Sequence, residues 1–209
     1  MKRAPAVIIS VLMMISLSGG NLYAQCRYDG HRCINADDYL QYVPLAEGMA
    51  LGFTGIETEH DFTGRLLAGA TSFASVALMV KGLKLVVHKE RPDGTDFSSF
   101  PSGHSAIAFM GAEIVREEYG WWWGAGAYSV AVGTAFLRVY NGRHDVWDVL
   151  AGAGTGVLAA RIGFWLLGPE KKLVSRIFGS GGGDSPEWAL SPVMDFRTGA
   201  ACLSLNIAF

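Results

Sequence analysis

Charge is scarce in this chain, and its scarcity narrows the field. Only 17% of the 209 residues are charged, while half are hydrophobic. Setting aside the first 24 residues, which hold Lys2 and Arg3 and no acid, leaves 15 basic against 19 acidic residues, a balance of −4. A chain without basic excess presents no nucleic-acid surface, so any anion must be held by a few placed cations. Cysteine is equally sparse, with only Cys26, Cys33 and Cys202. Cys202 has no His or Cys at metal-ligand spacing, and His31, His60 and His88 fall at none either, so neither a metal nor a cofactor is expected. There is no internal repeat, and the one low-complexity run is GSGGGDSP from Gly179.

What is abundant is apolar sequence in long runs. Lys2 and Arg3, the apolar stretch Ala6 to Leu17 and the small residues before Gln25 have the layout of a secretory signal peptide over 1–24. The alternative is an uncleaved first membrane helix. Gln25 before Cys26 speaks against lipidation, and in an exported chain Cys26 and Cys33 can pair. Further on, apolar runs separated by breakers predict helices near 43–56, 64–87, 103–118, 121–140 and 146–168. The last two are long enough to span a bilayer at roughly 20 residues per crossing. Trp121 to Trp123 stand where an interfacial aromatic belt would lie, and Gly152 and Gly156 permit close helix approach. The short 43–56 run, and Lys81 and Lys84 in 64–87, keep a compact soluble bundle open. The fold expected is all-α: a membrane-embedded helical bundle over 25–178. It is followed over 179–209 by a Gly-rich linker and a short C-terminal β-hairpin, since EWALSPVMDF and ACLSLNIAF flank Arg197-Thr198-Gly199. Two strands cannot close a membrane barrel.

Cations and histidines at helix ends need a reason, because a buried unpaired charge costs several kcal/mol, on the order given for buried ions. Three clusters carry them. In KLVVHKERP, Lys84 and Arg91 are seven apart, close to two helical turns, and are expected on one face before Pro92 stops the helix. In PSGH, Ser102 and Gly103 open a helix whose free N–H groups suit an anion, with His104 in the first turn. In LRVYNGRHDVWD, His144 and Asp148 are four apart, so the carboxylate can accept the Nδ1 proton and leave Nε2 as a lone-pair donor. Arg138 can turn back toward His144 across the Asn141-Gly142 break. Asp93, Asp96, Glu113, Glu117 and Glu118 read as a loop and a solvated helix end.

Taken in order, Lys84-x6-Arg91-Pro92, Pro101-Ser102-Gly103-His104 and Arg138-x5-His144-x3-Asp148 resemble the three-part signature of the type 2 phosphatidic acid phosphatase family, which also includes bacterial periplasmic acid phosphatases and vanadium haloperoxidases. One position departs from the pattern: Leu137 stands where the family usually has Ser. The resemblance implies a phosphatase in which His144 is the nucleophile and forms a phosphohistidine, Asp148 holds its ring, and His104 protonates the leaving oxygen. Lys84, Arg91, Ser102, Gly103 and Arg138 would then bind the phosphate without a metal. Hydrophobic helices beside such a site suggest a phosphorylated lipid as substrate, with the bilayer as partner and the site facing the periplasm. A soluble periplasmic acid phosphatase, a vanadate-dependent haloperoxidase and a non-catalytic phosphate-binding membrane protein are the alternatives. Both histidines and Asp148 weigh against the last, because binding alone needs only the cations.

Overall fold

A computed structural model describes the backbone of residues 23–28, 31–178, 187–195 and 200–208, and the side chains of 35–174. Among the described residues, six helices carry the fold: α1 (Ala36–Leu40), α2 (Val43–Leu51), α3 (Phe62–Val86), α4 (Gly103–Tyr119), α5 (Trp121–Tyr140) and α6 (Val146–Phe178). Two antiparallel strand pairs flank them, β1 (Tyr23–Tyr28) with β2 (His31–Ile34) and β3 (Glu187–Asp195) with β4 (Ala200–Ala208). The signal-peptide stretch before Tyr23, the linker 179–186 and the turn at Arg197-Thr198-Gly199 lie outside the described residues, as does any pairing of the Cys26 and Cys33 side chains.

Helix α4 is the centre of the bundle. Its small residues Ala106, Ala108, Gly111 and Ala112 let α2, α5 and α6 approach on different sides, while Met110, Ile114 and Val115 fill the gaps. The closest approach is to α6. A Cβ built on Gly152 would stand 3.2 Å from Ser105 Cβ and overlap the Ser102 carbonyl oxygen, and one on Gly156 would overlap the Ala106 carbonyl. Small residues are therefore required at these two positions by backbone contact, one helical turn apart. The Ser102 N–H donates to the Asp148 main-chain carbonyl at 2.9 Å, which ties the start of α4 to the first turn of α6.

Most helix boundaries fall within two residues of those predicted, and three features differ. The 43–56 run stops as a helix at Leu51, because turns follow, with Gly55 at φ 72°. Helix α6 runs ten residues past the predicted end, through Pro169; Lys171 on that extension pairs with Asp61 at 2.5 Å, and the Thr71 hydroxyl reaches Glu170. Glu113 and Glu118 do not belong to a solvated helix end. Glu113 is 2% exposed and accepts from Arg116, Arg161 and the Tyr128 hydroxyl, and Glu118 is buried against His60. Their burial was unforeseen because, apart from Arg116 on α4 itself, their partners come from α5, α6 and the loop before α3.

Among the described residues, α3 (Phe62–Val86) and, within α6, Val146–Val174 are long and apolar enough to cross a membrane; of the two segments expected to span, 146–168 is thus one, while 121–140 is not.

Candidate active site

The three motifs converge at one end of the bundle. Helix α3 ends at Val86, and Val87 turns extended (φ −106°, ψ 100°), so Lys84 and Arg91 do not share a helical face as their spacing predicted. Two adjacent β-branched residues favour extended backbone over another turn of helix. The loop that follows pairs Lys89 with Ser98, and the Ser99 N–H donates to the Lys89 carbonyl at 3.0 Å. That loop, closed by a parallel bridge, brings the two cations together by another route: Lys84 Nζ donates to the Ser98 carbonyl at 2.6 Å, and Arg91 Nη2 lies 3.4 Å from the Ser98 hydroxyl.

Ser102 is the N-cap of α4. Its hydroxyl accepts from the Ser105 N–H at 3.4 Å and the Ser105 hydroxyl at 3.1 Å, and it is fully buried. His104, two residues on, points its Nε2 toward a cavity of about 240 Å³ lined by Arg91, His104, Arg138, Asn141 and Arg143, with Asn35, Asp37 and Asp38 as the opposing wall.

At the junction of α5 and α6, Gly142 adopts φ 66°, and the N–H groups of Arg143 and His144 both turn back to the Arg138 carbonyl. That turn sets His144 beside Arg138, with Nη2 at 3.4 Å from Nε2. His144 Nδ1 lies 2.7 Å from the Ser99 carbonyl, an acceptor, so Nδ1 carries the proton and Nε2 the lone pair. The predicted acceptor, Asp148, stands 4.0 Å away. It is engaged elsewhere: Lys89 Nζ at 2.7 Å, the Ser99 hydroxyl at 2.5 Å and the Asp145 N–H at 3.0 Å. Ser99 therefore joins the two, its carbonyl on His144 and its hydroxyl on Asp148.

The electrostatics follow from burial and from the neighbouring guanidinium groups. Burial, then the charges of Arg138 and Arg91, push the His144 imidazole down to about 3, so it is neutral across the working range. Burial and Arg138 also lower His104, against the upward pull of Asp38, whose carboxylate lies 2.9 Å from Nε2. Burial opposes the Lys89 charge, but the hydrogen bonds to Asp148 and Asp145 outweigh it and hold the amine above the ordinary lysine range. The Arg138 guanidinium is 6% exposed, donates to Asp37 at 2.7 Å, and leaves its Nε without a hydrogen-bond partner.

The PAP2 superfamily model matches residues 65–172, just over half of the chain, and takes in all three clusters. The chain belongs to the PAP2 superfamily.

Two curated relatives carry the comparison further. A lipid A 1-phosphatase of Porphyromonas gingivalis is 36% identical over 134 residues, 62% of this chain and 30% of that protein. A lipid A 4'-phosphatase of Helicobacter pylori is 27% identical over 125 residues, 56% of this chain and 61% of that protein. The matched part thus spans less than two thirds of either relative. The crystal structure of Aquifex aeolicus LpxE superposes with a TM-score of 0.52 at 20% identity, covering 62% of this chain and 84% of that one, which shows a shared helical fold.

Within this PAP2 chain, Arg91, His104 and Arg138 line the cavity directly, while His144 sits behind Arg138 and Asp148 behind His144. Lys84 reaches the Ser98 carbonyl at its edge. Gly103 opens α4 with its Cα side facing Val80. Sequence reasoning missed Asp37, Asp38, Lys89 and Ser99. The first two lie in a polar run that reads as solvated, and α1 is too short to signal itself. Lys89 had a signal of sorts: it is a third cation between two motif cations, while a buried Asp148 requires a counter-charge.

Proposed function

We propose that this chain is a phosphatase acting on a lipid-linked phosphate, with His144 as nucleophile, His104 as general acid and base, and side-chain cations in place of a metal. The observation that carries the reading is the pairing of a neutral His144, its Nδ1–H fixed on the Ser99 carbonyl, with Arg138 at its Nε2 and His104 on the same cavity. A fixed Nδ1–H makes Nε2 the only nucleophilic nitrogen, and phosphoryl transfer needs mainly positioning and charge stabilisation around it.

The two steps balance. His144 Nε2 donates its lone pair to phosphorus, the bond from phosphorus to the leaving oxygen breaks, and His104 delivers a proton to that oxygen. Water then attacks the phosphohistidine, His104 takes back a proton, and the P–N bond breaks with its electron pair returning to Nε2. Arg138 exchanges its contact with His144 for a phosphate oxygen, and Arg91 and Lys84 take the others. The Nδ1–H bond to Ser99 persists throughout, and Asp148 lends its charge to the imidazolium-like intermediate from 4.0 Å.

A lipid substrate is supported by what the helices leave outside. Leu78 and Leu85 on α3 and Trp165 on α6 are each more than 70% exposed, which a soluble bundle of this size would avoid. Four of the exposed aromatics stand at opposite ends of the bundle: Phe97 and Trp147 near the site, and Trp121 and Trp122 at the far end of α5, about 30 Å away at 1.5 Å per residue. That separation matches a hydrocarbon core, and the site then lies at headgroup level. The signal-like N-terminus favours the periplasmic side. The names of the two relatives favour a lipid A-type glycolipid over phosphatidate or a polyprenyl diphosphate.

The test is phosphate release by the detergent-purified protein from these three lipids and a small soluble monoester, with EDTA present. Release from a lipid, lost in His144→Ala, is expected. Release from the soluble monoester alone would replace the lipid reading with that of a general acid phosphatase, and full activity in His144→Ala would overturn the mechanism.

A further inference from the structure

We propose that Asp38 sets the leaving-group preference of this site, favouring esters whose leaving group is a neutral hydroxyl compound, such as a sugar, over diphosphates, whose leaving group is itself an anionic phosphate. The inference rests on the phosphatase reading above and concerns the side of the cavity where His104 stands.

Asp38 comes from α1, outside the segment that the family model matches. Its Oδ1 lies 2.9 Å from His104 Nε2 and 3.6 Å from Arg138 Nη1, and its side chain is 54% exposed at the mouth of the cavity. If His104 protonates the leaving oxygen, that oxygen must arrive beside Nε2, where the Asp38 carboxylate now sits. Whatever leaves therefore leaves past a carboxylate. Asp37 stands behind it, buried on Arg138 and held by Asn141 at 3.4 Å, so a second negative charge stays fixed in the same wall. Arg91 and Arg143 also line the cavity, but Asp96 lies 2.9 Å from the first and Asp93 3.2 Å from the second.

The consequence differs by substrate. An alkoxide leaving group carries charge only in the transition state and loses it to the His104 proton, and neighbouring hydroxyls on a sugar can donate to Asp38. The leaving phosphate of a diphosphate keeps at least one charge after that proton is delivered, and the carboxylates of Asp38 and Asp37 repel it. Like charges brought close in a partly dehydrated cleft discriminate strongly.

The experiment measures kcat/KM for a glycolipid monophosphate and a polyprenyl diphosphate in the same micelles, with wild type, Asp38→Asn and Asp38→Glu. Wild type is expected to favour the monophosphate. Asp38→Asn should move the ratio of the two constants roughly tenfold toward the diphosphate, a factor of ten being 1.4 kcal/mol, while Asp38→Glu keeps the wild-type ratio. A wild-type preference for the diphosphate, or a ratio unchanged in Asp38→Asn, would overturn the inference and leave the phosphatase reading intact. Hydrolysis of neither lipid by wild type would overturn both.

Discussion

Replacing Gly152 by Ala should disable the site through the backbone, without changing any side chain that binds phosphate. The added methyl carbon would overlap the Ser102 carbonyl oxygen and lie 3.3 Å from the Ser102 carbonyl carbon and 3.2 Å from Ser105 Cβ. Backbone cannot rotate out of the way as a long side chain can. Carbon needs about 3.5 Å from its neighbours, so α6 must withdraw from α4 by about 1 Å. The withdrawal acts on the bond between the Ser102 N–H and the Asp148 carbonyl, which holds the first turn of α6 against the start of α4. His144 travels with α6 and His104 with α4, so the nucleophile and the acid move apart. Overpacking of this kind costs about 1–3 kcal/mol of stability, and a misplacement near 1 Å costs about 100-fold in rate. The control is Gly154→Ala, two residues along the same helix, where a Cβ meets nothing within 4 Å. Helix propensity there gains up to about 1 kcal/mol, so its melting temperature should hold or rise with turnover intact. Thermal unfolding in detergent and initial rates on the lipid substrate measure both. Wild-type turnover in Gly152→Ala would refute the claim that close approach of α6 to α4 sets the site geometry.

Three further outcomes follow from the site itself. His104→Ala should keep inorganic phosphate as a competitive inhibitor yet lose most turnover, whereas His144→Ala should lose all turnover; inhibition constants and rates separate the two roles. With His144 neutral down to about pH 3 and His104 lowered from its ordinary value, kcat/KM should rise as pH falls through 6.5, because the basic limb, on which His104 loses its proton, has its midpoint below 6.5. A pH profile that loses activity between pH 7 and 5 would contradict this assignment. Lys89→Met should cut turnover and lower the melting temperature by a few degrees, because Asp148 is fully buried and Lys89 is its cationic partner, while Lys89→Arg should restore most of both. The cost stays well below that of a fully buried pair, since Lys89 is a third exposed.

The helices were legible because apolar runs here are long and end at strong signals: Ser102 as a cap, Gly120 at φ 81° between α4 and α5, and Asn141-Gly142 before α6. That the motif cations and histidines would gather at one end of the bundle was legible for a different reason, since an apolar helix gives such residues no other use. What the spacing misjudged was the path between residues. Lys84 and Arg91 meet through a loop on Ser98 instead of along a helix, and the His144 to Asp148 spacing allowed a contact that Ser99 takes instead. Both errors have one source: side-chain periodicity reports neighbours on the same element, and the loop 87–102 that closes the site belongs to no element. Asp37 and Asp38 lay beyond reach because a carboxylate in a polar stretch carries no sign that it will fold 101 residues back onto an arginine.

The arrangement of those aspartates explains how a cationic pocket persists without phosphate. Arg138 has Asp37 against it, Arg91 has Asp96 and Arg143 has Asp93, so each arginine facing the cavity is balanced by a carboxylate in the resting state. The cations stand on helix ends and their flanks, while Asp96 and Asp38 stand on the exposed loop and on the five-residue α1, with side chains about half exposed. Phosphate binding is then an exchange of partners, in which Asp96 gives way to water, the buried Asp37 keeps Arg138 aimed and Asp38 stays beside His104. An exchange yields less net affinity than occupation of bare charges, because each arginine gives up one anion as it takes another. In the proposed two-step hydrolysis this is favourable, since inorganic phosphate would be the last product to leave, and a pocket that bound it as tightly as unpaired arginines would retain it.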